Sequence, residues 1–200
     1  TDMETKSSFR GVYDNEKWNF AVRIKPASHG LADKAVPPGD TSYRLELYGV
    51  NYVSDTLQDE FTLSQTITSA AAVKFFENAK RIFIGAHRNN FTGDVITRSD
   101  VKVSSVRAWY DYLEDDVIKA HARNAASFGR KNPYKNALFT VGTLGDLDEN
   151  EIGNQTLWDV RIPEIKTLLM HWDFSNVTGS DASGQFFVND ISSGSVDDRT

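Results

Sequence analysis

Apolar positions recur at two different periods along the chain. In "KWNFAVRIKP", Trp18, Phe20, Val22 and Ile24 occupy alternate positions. A period of two predicts a strand over 18–25 with one face buried. "YRLELYGV" alternates in the same way, with Tyr43, Leu45 and Leu47 on one side, and predicts a strand over 43–49 that ends in a turn at Gly49. "DEFTLSQTI" is a further strand candidate. In "TSAAAVKFFENAK" the period changes: Ala72, Phe75, Phe76 and Ala79 suit one helical face, with Thr68 or Ser69 as its cap. Strand character returns over 81–86, where Ile82 and Ile84 share a face, and over 101–110, which is rich in β-branched residues. "FTGDVITRSD" between them reads as a loop around Gly93.

From Asp111 onward, Leu113, Val117, Ala120 and His121 recur at helical spacing, predicting a helix over roughly 113–125. Glu114, Asp115 and Asp116 then fall in its first turn, where carboxylates meet the positive end of the helix dipole, and Lys119 and Arg123 follow where cations are favoured. Helix-end charge bias accounts for these acids; the competing reading is a catalytic cluster. Residues 129–165, rich in Gly, Asn and acids, read as a linker or long excursion. "TLLMHWDFSN" is a compact apolar strand, and the remainder to residue 200 is Gly/Ser/Asp-punctuated around "FFV". Short strands, turn signals and short helices predict a mainly β sandwich or barrel.

Composition narrows the function. A hydrophobic fraction of 40% supports a packed core. A net charge of −6 argues against a phosphate-tracking nucleic-acid surface. The chain has no cysteine, which removes disulfide scaffolds, thiolate metal sites and thiol nucleophiles. No apolar run reaches the ~20 residues of a membrane helix, so membrane insertion is not expected. "TDMETKSSFRG" lacks the apolar stretch of a secretion signal.

The run from "RIFIGAHRNN" to "YLEDDVIKAHAR" resembles the closing half of a laminin-G-like, concanavalin-A-like jelly-roll domain. The resemblance rests on Ile84–Gly85, the turn glycine Gly93, Arg107 with Trp109 and Tyr110, and Leu113 followed by acids and Ile118. "KWNFAVRI" and the Tyr48–Gly49 pair are similar to upstream strands of that family, so the match spans residues 9 to 125. "LLMHWDFSNVTGSDASGQFFVNDISSGS" resembles the opening of another such domain, through His171, Trp172, Phe174, Thr178, Gly179, Asp190, Ser193 and Gly194.

The resemblance implies a mainly β jelly-roll sandwich with one or two short helices. It divides the chain into 1–128 as the closing portion of one domain, 129–165 as linker, and 166–200 as the opening strands of a second. The family's usual opening strand has no counterpart before residue 9. Either it lies in preceding sequence, or the C-terminal strand completes the first sheet in a permuted arrangement. The Asn- and Asp-rich loops and the "GAHRNNFTG" and "AHARN" runs are similar to tandem domains in very large structural proteins of marine bacteriophages.

Candidate chemistry is sparse. "GDLDENEIG" places Asp146, Asp148 and Asn150 at alternate positions, a hard-oxygen set suited to calcium. Counted from Asp146, an EF-hand needs Gly at the sixth position and Glu at the twelfth; Glu151 and Leu157 stand there. A solvated acidic loop is the alternative. His87 is a candidate ligand contact at a sheet rim, against a hydrogen-bonded structural role, and His171 reads as a core-edge residue. Trp158 is the candidate exposed aromatic, since Trp18, Trp109 and Trp172 lie in strand-like runs where core packing is usual. Glycosidases of this fold need paired carboxylates ~5–5.5 Å apart for retention, and "LELYG" offers only Glu46.

These features lead to an expected non-enzymatic structural or adhesive module of a larger protein, placed in a virion or at an extracellular surface. It partners other structural chains and needs no obligatory cofactor. A secreted carbohydrate-binding module recognising surface glycans is the alternative, and a glycoside hydrolase the second.

Overall fold

The computed structural model describes residues 11–12, 15–27, 42–79, 86–89, 93–98, 101–134, 164–180, 182 and 186–192. The chain forms two compact units, one of residues 1–103 with 114–124 and the other of 104–113 with 125–200. The described elements are mainly antiparallel β-structure.

In the first unit, β1 (Trp18–Pro26), β2 (Tyr43–Val53) and β3 (Thr56–Ile67) form a three-stranded antiparallel sheet in that order. β2 runs through Gly49, where the sequence predicts a turn. The reversal comes later, at Ser54 and Asp55, both with positive φ (47° and 64°). That is the backbone a two-residue hairpin turn requires if its twist is to match the strands it joins. Gly49 has a packing role instead. It pairs with Phe20 on one side and Phe61 on the other. A Cβ there would lie 2.5 Å from the Phe61 ring and 3.2 Å from the Phe20 ring, so only glycine lets the rings close over the central strand.

α1 (Ser69–Glu77) is capped by Thr68, whose hydroxyl accepts from the Ala71 amide. The predicted Ala72/Phe75/Phe76 stripe is buried only at Ala72; Phe76 is 56% exposed. β4 (Ala86–Arg88) pairs antiparallel with β5 (Val95–Arg98). Four of the ten residues of the predicted "FTGDVITRSD" loop, Val95–Arg98, are therefore strand. The reversal is tight at Gly93, where a Cβ would collide with the Asn89 carbonyl. Of the strand predicted over 81–86, only residue 86 lies among the described residues.

α2 (Asp115–Arg123) packs on β1 and β2. Its buried stripe is Val117, Ile118, His121 and Ala122; Ala120, expected on that face, is exposed. Glu114 is the N-cap residue and makes no side-chain capping bond.

The second unit is built on β6 (Ser105–Trp109), β7 (Leu168–Ser180) and β8 (Phe186–Asp190), an antiparallel sheet in that order. Residues 101–104 of the predicted 101–110 strand lie outside β6. β6 and β7, far apart in sequence, are direct neighbours, with Arg107 opposite His171. Within the predicted linker, residues 131–134 form bends and a turn, and the short 3-10 turn Glu164–Lys166 spans its end; 135–163 lie outside the described residues. Arg130 ties the connections together, bonding Asp111 at 2.8 Å and approaching Glu164 at 3.5 Å.

Candidate functional site

The two faces of the β1–β2–β3 sheet have opposite chemistry. Register places Trp18, Phe20, Val22 and Ile24 of β1 on one face with Leu45, Leu47 and Gly49 of β2 and Phe61 and Leu63 of β3. Alternation predicts that this apolar face is the buried one. It is the more open face: Phe20 is 51% and Val22 65% exposed, and Trp18, Ile24, Leu45, Leu47, Phe61 and Leu63 are half-buried. Period-two patterning shows that a strand has an apolar face and says nothing of which layer covers it.

The aromatic part of this face is ordered by its rings. Trp18 and Phe20 stack with centroids 5.8 Å apart and planes 7° from parallel. Phe61 leans on both, at 5.9 Å from Trp18 and 6.4 Å from Phe20. Neighbouring aromatic side chains on one strand face share this spacing because alternate residues project together. The result is an aromatic cluster over Gly49, with Phe61 tilted by 52° and 56° to the two stacked rings.

α2 covers the opposite face, which holds Arg23, Glu46, Tyr48 and Val50. Arg23 and Glu46 are direct cross-strand partners joined at 3.1 Å, their side chains 5% and 6% exposed. Arg23 also donates to Asp115 of α2 at 2.6 Å, and its guanidinium lies 5.0 Å from the Tyr48 ring centroid. A buried arginine is tolerable only when its charge is matched, and here it is matched by one carboxylate from the sheet and one from the helix.

A second cluster continues the seam. The Tyr48 hydroxyl donates to Glu60 at 2.8 Å, and Lys119 of α2 meets the same carboxylate oxygen at 2.6 Å. Burial, then the bond to Glu60, pushes the Tyr48 phenol up. Lys119 first, and Tyr48 second, hold Glu60 below its usual range, and Glu60 in turn raises Lys119. Lys17 donates to the Ala122 carbonyl at 3.2 Å near the helix C-terminus, and Arg123 lies over Tyr52.

The predicted acid cluster is thereby resolved into unlike parts. Asp115 is an ion-pair partner of Arg23, with its side chain about half exposed at 52%. Asp116 and Glu114 are exposed in and before the first turn. Glu46, the carboxylate a glycosidase reading singles out, lies under α2 and is committed to Arg23.

The second unit holds a different charged centre. His171 is 4% exposed and its Nδ1 has no hydrogen-bond partner. Phe128 lies against the imidazole, ring centroids 4.6 Å apart, and Arg107 lies 5.5 Å from the same Phe128 ring. Arg107 donates to the Ala125 carbonyl, while its Nε is buried without a partner. The His171 amide donates to Asp190 at 2.8 Å. Burial lowers His171, and the Arg107 charge lowers it further; burial likewise lowers Arg107.

The other predicted site residues fall elsewhere. Trp158, Asp146, Asp148 and Asn150 lie outside the described residues. His87 pairs with Thr97 through β4, and its side chain is not among those described. Trp172, expected in a core, is 38% exposed. Among the described residues no group of three or more His, Cys, Asp or Glu is placed to hold a metal, and no helix is long and apolar enough to cross a membrane.

Sequence reasoning missed Arg23 and the Phe20–Phe61 cluster. Arg23 interrupts an apolar run, "AVRIK", and that interruption was the available signal. Its meaning needs the register that sets Glu46 opposite. Comparison with protein-family models, with curated proteins and with solved structures finds no match.

Proposed function

We propose that this chain is a non-enzymatic structural or adhesive module of a larger protein, engaging neighbouring protein chains through the open face of β1–β2–β3. One observation carries the reading. The aliphatic and aromatic face around Phe20 and Val22 is half open, while the charged face of the same sheet is sealed by α2. Contiguous exposed apolar surface marks an interaction site. A virion capsid or tail component with a laminin-G-like jelly-roll fold is the setting we propose, supported by the sequence resemblance alone.

Site-specific photocrosslinking in the full-length protein tests this. A photoreactive residue at Val22 should capture a neighbouring chain, and one at Arg44, exposed on the opposite face, should not. Capture at Arg44 with none at Val22 overturns the proposal.

Carbohydrate binding is the second reading, favoured by the parallel Trp18–Phe20 rings. An exposed aromatic ring such as Phe20 can stack against the apolar face of a sugar ring. Affinity electrophoresis through gels containing neutral or acidic polysaccharides separates the readings: retardation abolished by Phe20→Ala establishes the glycan module. Polysaccharide hydrolysis lost in Glu46→Gln would instead overturn the non-catalytic proposal.

A further inference from the structure

The Arg107–His171–Phe128 centre belongs to the second unit and has its own physical logic. Arg107 and His171 are cross-strand partners on β6 and β7. Directly opposed residues on one face hold their side chains close together. Phe128 lies against both, and its segment "AASFG", residues 125–129, contributes no ionisable side chain. The segment is fastened by the Arg107 bond to the Ala125 carbonyl and by these ring contacts.

We propose that His171 is a proton-operated latch: neutral, it holds Phe128 and residues 125–129 on the β6–β7 pair, and protonated, it releases them.

The charges around His171 decide the direction. β6 presents Arg107, β7 itself presents Asp173, and β8 presents Asp190. A second cation opposite the half-buried Arg107 guanidinium is repelled, the more so because His171 itself is shielded from solvent. The two aspartates oppose that repulsion, but both are already engaged. Asp190 accepts from the His171 and Ser192 amides, at 2.8 and 2.9 Å. Asp173 accepts from the Ser175 amide and hydroxyl, at 3.0 and 2.7 Å. The buried Nδ1 has no acceptor for the proton it would carry. Admitting water relieves both penalties, and the half-exposed Phe128 segment is the movable cover; β7 is fixed between two strands.

Burial and Arg107 both push the His171 imidazole below its ordinary 6.5. The neutral form is therefore the one the fold favours. The latch is closed above the unfolded-state value and opens as pH falls from there through the lower folded value.

NMR of the full chain tests this between pH 7.5 and 4. The His171 Cε1–H signal should titrate with a midpoint below 6.5. The Phe128 ring and the amides of residues 125–129 should shift with that midpoint, while the Val106 and Ala108 amides stay in place. His171→Phe, which keeps a ring against Phe128, should abolish the transition at 125–129. Arg107→Gln should move the midpoint upward, which keeps the test decisive if His171→Phe does not fold. A His171 midpoint at or above 6.5, a transition that survives His171→Phe, or simultaneous loss of the β6 amides overturns the proposal.

Discussion

Each unit sets an arginine against an aromatic ring, buried in the first and half-buried in the second, and the two arginines are accommodated differently. Arg23 lies over Tyr48 and is neutralised by Glu46 from the neighbouring strand and Asp115 from α2. Arg107 lies over Phe128 and bonds a backbone carbonyl, with Asp173 as the carboxylate that acts on it through space. Breaking the first arrangement removes the cation beside a buried carboxylate. Breaking the second strands only a carbonyl, which water can reach. The first is a structural seam that fixes a helix on a sheet; the second leaves room for a change of charge.

The sharpest way to break this comparison is to remove each arginine. Arg23→Leu should destabilise the first unit by ~3–5 kcal/mol, because it removes the cation that neutralises the buried Glu46. Arg107→Leu should cost under ~1.5 kcal/mol, the net worth of one hydrogen bond. Urea unfolding of both variants checks the ranking, and equal losses would show that the two sites are energetically alike.

The apolar side of the same seam comes next. Ile118, on the buried face of α2, is 2% exposed, and Ile118→Ala should cost ~2–5 kcal/mol through lost contact and a residual cavity. Thermal melts of this variant beside Arg23→Leu show whether packing or charge dominates helix docking.

Acidification should then separate the units in order. Glu60 is held below 4.5 by Lys119 and Tyr48. Its stabilisation is complete above that value and is lost as pH falls through its lower folded value. Lys119 is raised above 10.5, so its share is lost as pH climbs through that raised value. Both side chains are substantially exposed, which limits the pair to under ~1 kcal/mol. Hydrogen exchange should show residues 125–129 of the second unit loosening below pH 6.5, with β6 protected, and the first unit loosening only below 4.5. Glu60→Gln should flatten the later loss and leave the earlier one intact.

The smallest effect is expected at Asp116. Asp116→Asn removes an exposed first-turn charge and should cost ~0.3–1 kcal/mol at low salt, less as salt rises. Melts across a salt series check it against Asp115→Asn, which loses the charge of the Arg23 ion pair as well and should cost more.

Much of the local structure was legible in the chain. Alternation in "KWNFAVRI" and "YRLELY" located β1 and most of β2, and the Thr68 cap placed the start of α1. Helical spacing after Asp111 located α2, although its buried stripe is displaced from the expected one. Gly49 misled because glycine breaks a strand pattern for either of two reasons, a turn or the close approach of neighbouring rings. Only the register across β1 and β3 distinguishes them.

The sequence by itself determined that the chain is mainly β, that each early strand has one apolar side, and that a charged, amphipathic helix begins after Leu113. These are properties of neighbouring residues along one element, fixed by side-chain period and by helix-end electrostatics. Tertiary structure alone decided which sheet face α2 covers, that Arg23 meets both Glu46 and Asp115, and that Arg107 stands opposite His171. Those pairings join residues distant along the chain, and their energies depend on register and on water being excluded, neither of which a local pattern encodes.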